Sequence, residues 1–141
     1  MFHQVTIVGF IGKNPEMRYS PTGQAVTNFS IATSRKWTDP SGEKKTETTW
    51  FHISAFGKLG EVTNQYLTKG SKALILGHLH PDAGGNPRVW NRQDGSAGAS
   101  YEIIADTVRF LGSPQDENGQ AQEQRQGQGT DGIFDEDSIP F

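Results

Sequence analysis

Trp50-Phe51-His52-Ile53-Ser54-Ala55-Phe56-Gly57-Lys58 has two faces that ask for different surroundings. In an extended chain, successive side chains point to opposite sides. Phe51, Ile53 and Ala55 then form one apolar row, suited to a core. Trp50, His52, Ser54 and Phe56 form the other, where two large aromatics alternate with polar side chains. Water is a poor neighbour for Trp and Phe, and a core is a poor neighbour for His and Ser. Two surroundings answer this pattern. One is a second layer of protein over the aromatics; the other is a surface that stacks flat, polar-edged rings such as nucleobases.

The strand period stops at Gly57. From there Leu59, Val62, Tyr66 and Leu67 recur at the spacing of one helix face, and Lys69-Gly70 supplies a helix stop. Upstream, residues 3–12 read as a first strand, with Val5, Ile7 and Ile11 on one side and Val8 and Phe10 on the other. Apolar residues on both sides predict cover from both, by the core and by a second subunit. Asn14-Pro15-Glu16 breaks this strand, and Ser20-Pro21-Thr22-Gly23 is a turn signal. Residues 24–37 read as a second strand and about 47–57 as the third, joined by the polar turn Thr38 to Glu43.

Downstream, 72–80 and 100–111 read as the fourth and fifth strands, separated by a long polar excursion from Pro81 to Ala99. Three strands, a helix and two strands predict an all-β OB-fold. This is a five-stranded Greek-key barrel with one helix between strands 3 and 4, of the kind that binds oligonucleotides across its face. Another small α+β arrangement fits the same order.

The 141 residues are polar for a globular chain, with a mean hydropathy of −0.63. Charge is unevenly spread. Residues 1–112 carry 12 Lys and Arg against 9 Asp and Glu, a formal +3; residues 113–141 carry one Arg against seven acids, a formal −6. The acidic balance of the whole chain therefore does not argue against a nucleic-acid partner for its first part. With no cysteine there is no disulfide framework, thiolate zinc site or Cys nucleophile. Neither a membrane span nor a signal peptide is recognisable, and a cytoplasmic protein is expected.

Residues 1–112 are expected to form one domain. The Gln- and Gly-rich segment 113–134 is too poor in apolar side chains to offset its ordering entropy and reads as a disordered C-terminal linker. At 135–141, Asp135, Glu136 and Asp137 stand beside Ile139, Pro140 and Phe141, acids next to exposed apolar side chains. That combination reads as a docking peptide.

Cations accompany every tryptophan. Trp37 follows Arg35 and Lys36, Lys58 lies close to Trp50 and Phe56, and Trp90 stands between Arg88 and Arg92; Lys72 opens the fourth strand. Sequence-tolerant binding of single strands uses this pairing, with cations for phosphates and ring faces for bases. Base stacking is therefore expected at Trp37, Trp50, Phe56 and Trp90, and phosphate contact at Arg35, Lys36, Lys58, Lys72, Arg88 and Arg92. His78 and His80 share a strand face, but two ligands do not make a metal site, and no further ligand stands at a known spacing. No phosphate-binding Gly loop, nucleophile motif or carboxylate pair is present, so neither catalysis nor a cofactor is expected.

Assembled, the chain resembles the bacterial single-stranded DNA-binding protein (SSB) family. The likeness rests on Asn14-Pro15-Glu16 with Arg18-Tyr19, on Phe29-Ser30-Ile31-Ala32-Thr33, and on Trp37 and Trp50. Its most specific run is Phe56-Gly57-Lys58-Leu59-Gly60-Glu61-Val62, continued by Tyr66-Leu67 and Lys69-Gly70-Ser71. The resemblance implies an OB fold, a homotetramer and wrapping of single-stranded DNA without sequence preference. It implies base stacking by Trp37, Trp50 and Phe56, with Trp90 as counterpart of a loop tryptophan. The tip is similar to the family's acidic peptide ending in Ile-Pro-Phe, which docks on DNA replication, recombination and repair proteins. A tip of this kind points to a bacterial or phage source and to a nucleoid-associated protein. Asn14 stands where the family usually has Asp, Leu76 where an acid is common, and Ser138 interrupts the tip.

Overall fold

The computed structural model describes residues 1–113, so the linker beyond Ser113 and the tip at 135–141 lie outside the described residues. The elements are β1 (Val5–Ile11), β2 (Glu16–Tyr19), β3 (Ala25–Thr38), β4 (Lys44–Phe56), α1 (Gly57–Tyr66), β5 (Lys72–Leu79), β6 (Val89–Asn91), β7 (Ala97–Ala99) and β8 (Tyr101–Gly112). Period-two alternation turns one isoleucine inward from each of five strands. Ile11, Ile31, Ile53, Ile75 and Ile103 are all essentially inaccessible. Burying each contributes about 1.5–3 kcal/mol over leaving it exposed. Phe29, Ala55, Ala73 and Ala105 join the same cluster, and Phe51 packs against it.

Those five strands close on themselves in the order β1-β5-β8-β4-β3, and β3 returns to β1 through Phe10↔Ala32 and Ile11↔Ile31. β4 and β8 run parallel, from Phe51↔Tyr101 to Ser54↔Ile104, and the other barrel pairs are antiparallel. With α1 between β4 and β5, this is the OB arrangement. The row read as suited to a core turns inward, with Ile53 and Ala55 buried; the Trp50–His52 row, for which protein cover and open surface both fitted, is exposed, as are Val8 and Phe10 on β1.

Three local expectations need correction. The first strand does end before Asn14-Pro15, but a short strand not expected from the sequence follows, since β2 pairs with β3 from Glu16↔Asn28 to Tyr19↔Ala25. An edge strand needs only one ladder of backbone bonds, and its four residues are too few to show a period. The excursion 81–99 contains the hairpin β6–β7 instead of being loop throughout.

The buried face of α1 keeps Leu59 and Leu67 against the core, as read from spacing, but is centred on small residues the spacing did not include. Gly60 and Thr63 are buried, with Leu67 at the C-cap, whereas Tyr66 is exposed and sets its ring edge against Phe110. Close approach explains this: a Cβ at Gly60 would stand 2.5 Å from the Ala55 carbonyl oxygen. Thr27 Oγ1 donates to the Gly60 carbonyl at 2.6 Å and ties the helix to β3.

β3 and β4 stay paired from Val26↔Phe56 to Thr38↔Lys44. Beyond Ala32 and Trp50 neither has another strand partner among the described residues, so the pair leaves the barrel as a two-stranded ribbon. Its turn is closed by Asp39, whose Oδ1 accepts the backbone N–H groups of Ser41 and Glu43 at 3.0 and 2.9 Å.

Candidate nucleic-acid interface

On the outer face of the β3–β4 pair, Ala32 faces Trp50, Ser30 faces His52, Asn28 faces Ser54 and Val26 faces Phe56. Trp50 and Phe56 thus share one face, roughly 20 Å apart at about 3.3 Å per residue. The ground between them is low and polar, with Ser54 Oγ donating to Asn28 Oδ1 at 2.8 Å. Trp50 is 52% exposed. Its indole leans across β3 onto Gly12, where a Cβ would stand 2.4 Å from Cζ3. Phe56 is half-buried where the strand ends, at the N-cap of α1.

Trp37 is placed differently. It pairs with Lys45 an odd number of residues from the Ala32↔Trp50 pair, and so projects from the opposite face of the ribbon. It is 40% exposed, with the Arg35 guanidinium carbon 4.7 Å from its ring centre. Arg35 also pairs with Glu47 at 3.4 Å. Lys36 is exposed on the face that carries Trp50. A chain touching both tryptophans must therefore wrap the ribbon's edge.

Trp90 lies on the separate β6–β7 sheet, opposite Gly98, and is 44% exposed. A Cβ at Gly98 would stand 2.6 Å from the indole, so this glycine also makes room for a ring. The Arg92 guanidinium carbon is 5.2 Å from the Trp90 ring centre, and Nη1 donates to the Ala97 carbonyl at 2.8 Å. Asp94 accepts the Ser96 hydroxyl at 2.6 Å and the Ser96 N–H at 2.9 Å, and these bonds hold its carboxyl below the usual range. The signal for this hairpin was present in the sequence as Asp94-Gly95, with Gly95 at φ +85°.

The remaining predicted cations sit around these rings unevenly. Arg88 is tied to the base of the hairpin: Nε donates to the Pro81 carbonyl at 3.2 Å, and Nη2 lies 3.0 Å from His80 Nε2. Lys58 pairs with Glu61 at 3.7 Å across one helix turn. Exposed pairs of this kind are worth at most about 1 kcal/mol and exchange readily for a phosphate. Lys72, on β5, stands over the ring of Phe10 at 5.8 Å. His78 and His80 each face their own carboxylate, Asp106 at 3.0 Å and Glu102 at 3.8 Å. No group of three or more His, Asp or Glu arranged for a metal occurs among the described residues.

The sequence reading did not single out Phe10 or Gly12 for the site. Phe10 was visible as an aromatic on the face of the first strand opposite Ile7 and Ile11; Gly12 gave no signal, because its contact with Trp50 is made across β3.

The closed barrel, its helix between β4 and β5 and its ring-bearing outer face define an OB-fold protein. The model of the single-strand binding protein family matches residues 2–111, and the chain belongs to that family. Single-stranded DNA-binding proteins of Neisseria meningitidis serogroups A and B are each 35% identical over 119 residues, covering 84% of this chain and 65% of theirs. The chain thus spans 65% of the length of these relatives. Among solved structures, the Plasmodium falciparum SSB complex with ssDNA matches with a TM-score of 0.67 at 25% identity, covering 79% of this chain and 97% of that one. A deletion mutant of the single-stranded DNA binding protein from Thermus aquaticus gives a TM-score of 0.62 at 23% identity, covering 79% and 51%, a likeness of fold.

Proposed function

We propose that this chain binds, wraps and protects single-stranded DNA without sequence preference. Bases stack on Trp37, Trp50, Phe56 and Trp90, while Arg35, Lys36, Lys58, Lys72, Arg88 and Arg92 meet phosphates. The observation that carries the reading is the exposed indole of Trp50, set over Gly12 on an outer face of small polar side chains. An exposed ring of this kind fits stacking by any base, since every base has a π-face. Family membership supports the reading, as does the fold shared with an SSB solved in complex with ssDNA. The role is binding, with no reaction catalysed and no cofactor used.

The same reading takes the chain as a homotetramer. Val5 to Gly9 of β1 pair only with β5 among the described strands, leaving a backbone edge free, and Val8 and Leu111 are exposed apolar residues. An open edge beside apolar surface suits pairing with another copy. The tip, through Asp135, Glu136, Asp137, Ile139, Pro140 and Phe141, recruits replication, recombination and repair proteins; the likeness of those residues to the family's peptide supports this. Such work belongs in the cytoplasm, on the nucleoid. No helix among the described residues is long and apolar enough to cross a membrane.

Competition tests the function. Unlabelled single strands of mixed sequence are expected to displace labelled oligo-dT, whereas a duplex of equal length is not. Equal competition by the duplex would overturn the reading.

A further inference from the structure

Outward residues of four neighbouring strands fall into one row. Lys72 of β5 faces Phe10 of β1, Phe10 faces Ala32 of β3, and Ala32 faces Trp50 of β4. Directly opposed residues share a sheet face at about 4.5–5.5 Å, so Phe10 and Trp50 stand roughly 10 Å apart across the small Ala32. Phe10 and Gly12 alternate on the same face of β1, and the Trp50 indole already reaches Gly12. Phe10 is 47% exposed, with the Lys72 ammonium 5.8 Å from its ring centre.

Two observations separate Phe10 from the rest of the outer row of β1. Its backbone is paired on both sides, to Lys72 and to Ala32, whereas the free edge ends at Gly9. Its neighbours are a cation and a small residue on the way to Trp50, while Val8 faces the aliphatic Leu74. The edge and Val8 suit contact with another copy; Phe10 lies past them, on the Trp50 side.

We infer that Phe10 is a further base-stacking position, which carries a bound single strand from Trp50 across Ala32 to a phosphate held by Lys72. This rests on the proposed role of the Trp50 face and extends it by one nucleotide. Lys72 suits the task, because a flexible ammonium leaves an exposed ring for a phosphate at little cost. The row would carry the path across the strands, away from the ribbon that bears Trp37.

The test measures anisotropy of labelled oligo-dT of one fixed length on the full chain, with sedimentation velocity of each protein. The variants are Phe10→Ala, Phe10→Leu, Lys72→Gln and, as reference, Trp50→Ala. A base stack contributes about 5- to 150-fold in affinity. Phe10→Ala is expected to weaken binding by about 5-fold or more with sedimentation unchanged. Phe10→Leu, which keeps apolar bulk but has no flat face, is expected to weaken it similarly. Lys72→Gln is expected to lower the log–log salt slope by about 0.7, the share of one phosphate on a single strand.

Unchanged affinity in Phe10→Ala beside a weakened Trp50→Ala overturns the inference and leaves the Trp50 reading standing. Unchanged affinity in both removes the Trp50 reading and the inference with it. A changed oligomeric state in Phe10→Ala, or full binding restored by Leu, assigns Phe10 to packing and overturns the inference.

Discussion

The six-membered ring of Trp50 abuts Gly12, so close that a methyl group there would meet Cζ3 at 2.4 Å. β4 thereby rests its largest side chain on the residue that follows β1, with β3 between them. The ring is braced at Gly12 and remains 52% exposed.

Gly12→Ala is expected to move the indole rather than break the barrel, because the clash is with the far end of a side chain. Oligo-dT binding should lose part of the about 1–3 kcal/mol that a base stack contributes. Stability should change by less than about 1 kcal/mol, since alanine restricts the unfolded chain by about 0.4–1 kcal/mol in the variant's favour. Urea unfolding beside a binding titration checks both; a large loss of stability with intact binding would contradict the placement.

Two buried threonines should respond oppositely to loss of their hydroxyl. Thr27 Oγ1 donates to the Gly60 carbonyl, whereas Thr63 Oγ1 is buried with no hydrogen-bond partner among the described residues. Thr27→Val is expected to cost about 1 kcal/mol. Thr63→Val is expected to be neutral or stabilising by up to about 2 kcal/mol, since it removes a desolvated group of the same shape. Thermal unfolding reads both, and a larger loss in Thr63→Val would refute the assignment.

The ribbon turn should be acid-sensitive. The Asp39 carboxyl is held below its ordinary 3.8, first by the Ser41 hydroxyl and then by the Glu43 N–H. A depressed value means the turn's support is present above pH 3.8 and is lost as pH falls through the lower folded value. An NMR titration of the Ser41 and Glu43 amides should show a midpoint below 3.8; one at or above it would contradict the turn geometry.

Deleting Ile139-Pro140-Phe141 is expected to abolish docking of replication and repair partners while oligo-dT affinity stays within about 2-fold, as expected where a chain end tolerates change. Pull-down with the deletion protein and a parallel DNA titration separate these roles. Partner capture that survives the deletion would rule out the tip.

Much of this architecture was legible because period-two alternation is strong where strands face a core. Residues 50–56 alone separated the core row of Ile53 from the row of Trp50, though not whether the latter is covered or open. The helix face was legible only in part: Leu59 and Leu67 meet the core, but Gly60 is buried for its lack of a side chain and apolar spacing cannot register that. β2 escaped because an edge strand needs little hydrophobic signature. The opposed faces of Trp37 and Trp50 follow from register, which the turn at 39–43 sets and spacing alone left open. Gly12 beneath Trp50 is a contact between distant strands, and no local pattern encodes it.

The central claim is that bases stack on Trp50. The chain has three tryptophans, so Trp37→Phe with Trp90→Phe leaves Trp50 as the sole indole. Its emission should be quenched as oligo-dT saturates this variant, with binding followed independently by sedimentation. Sedimentation that reports bound DNA while Trp50 emission stays unchanged would contradict the account.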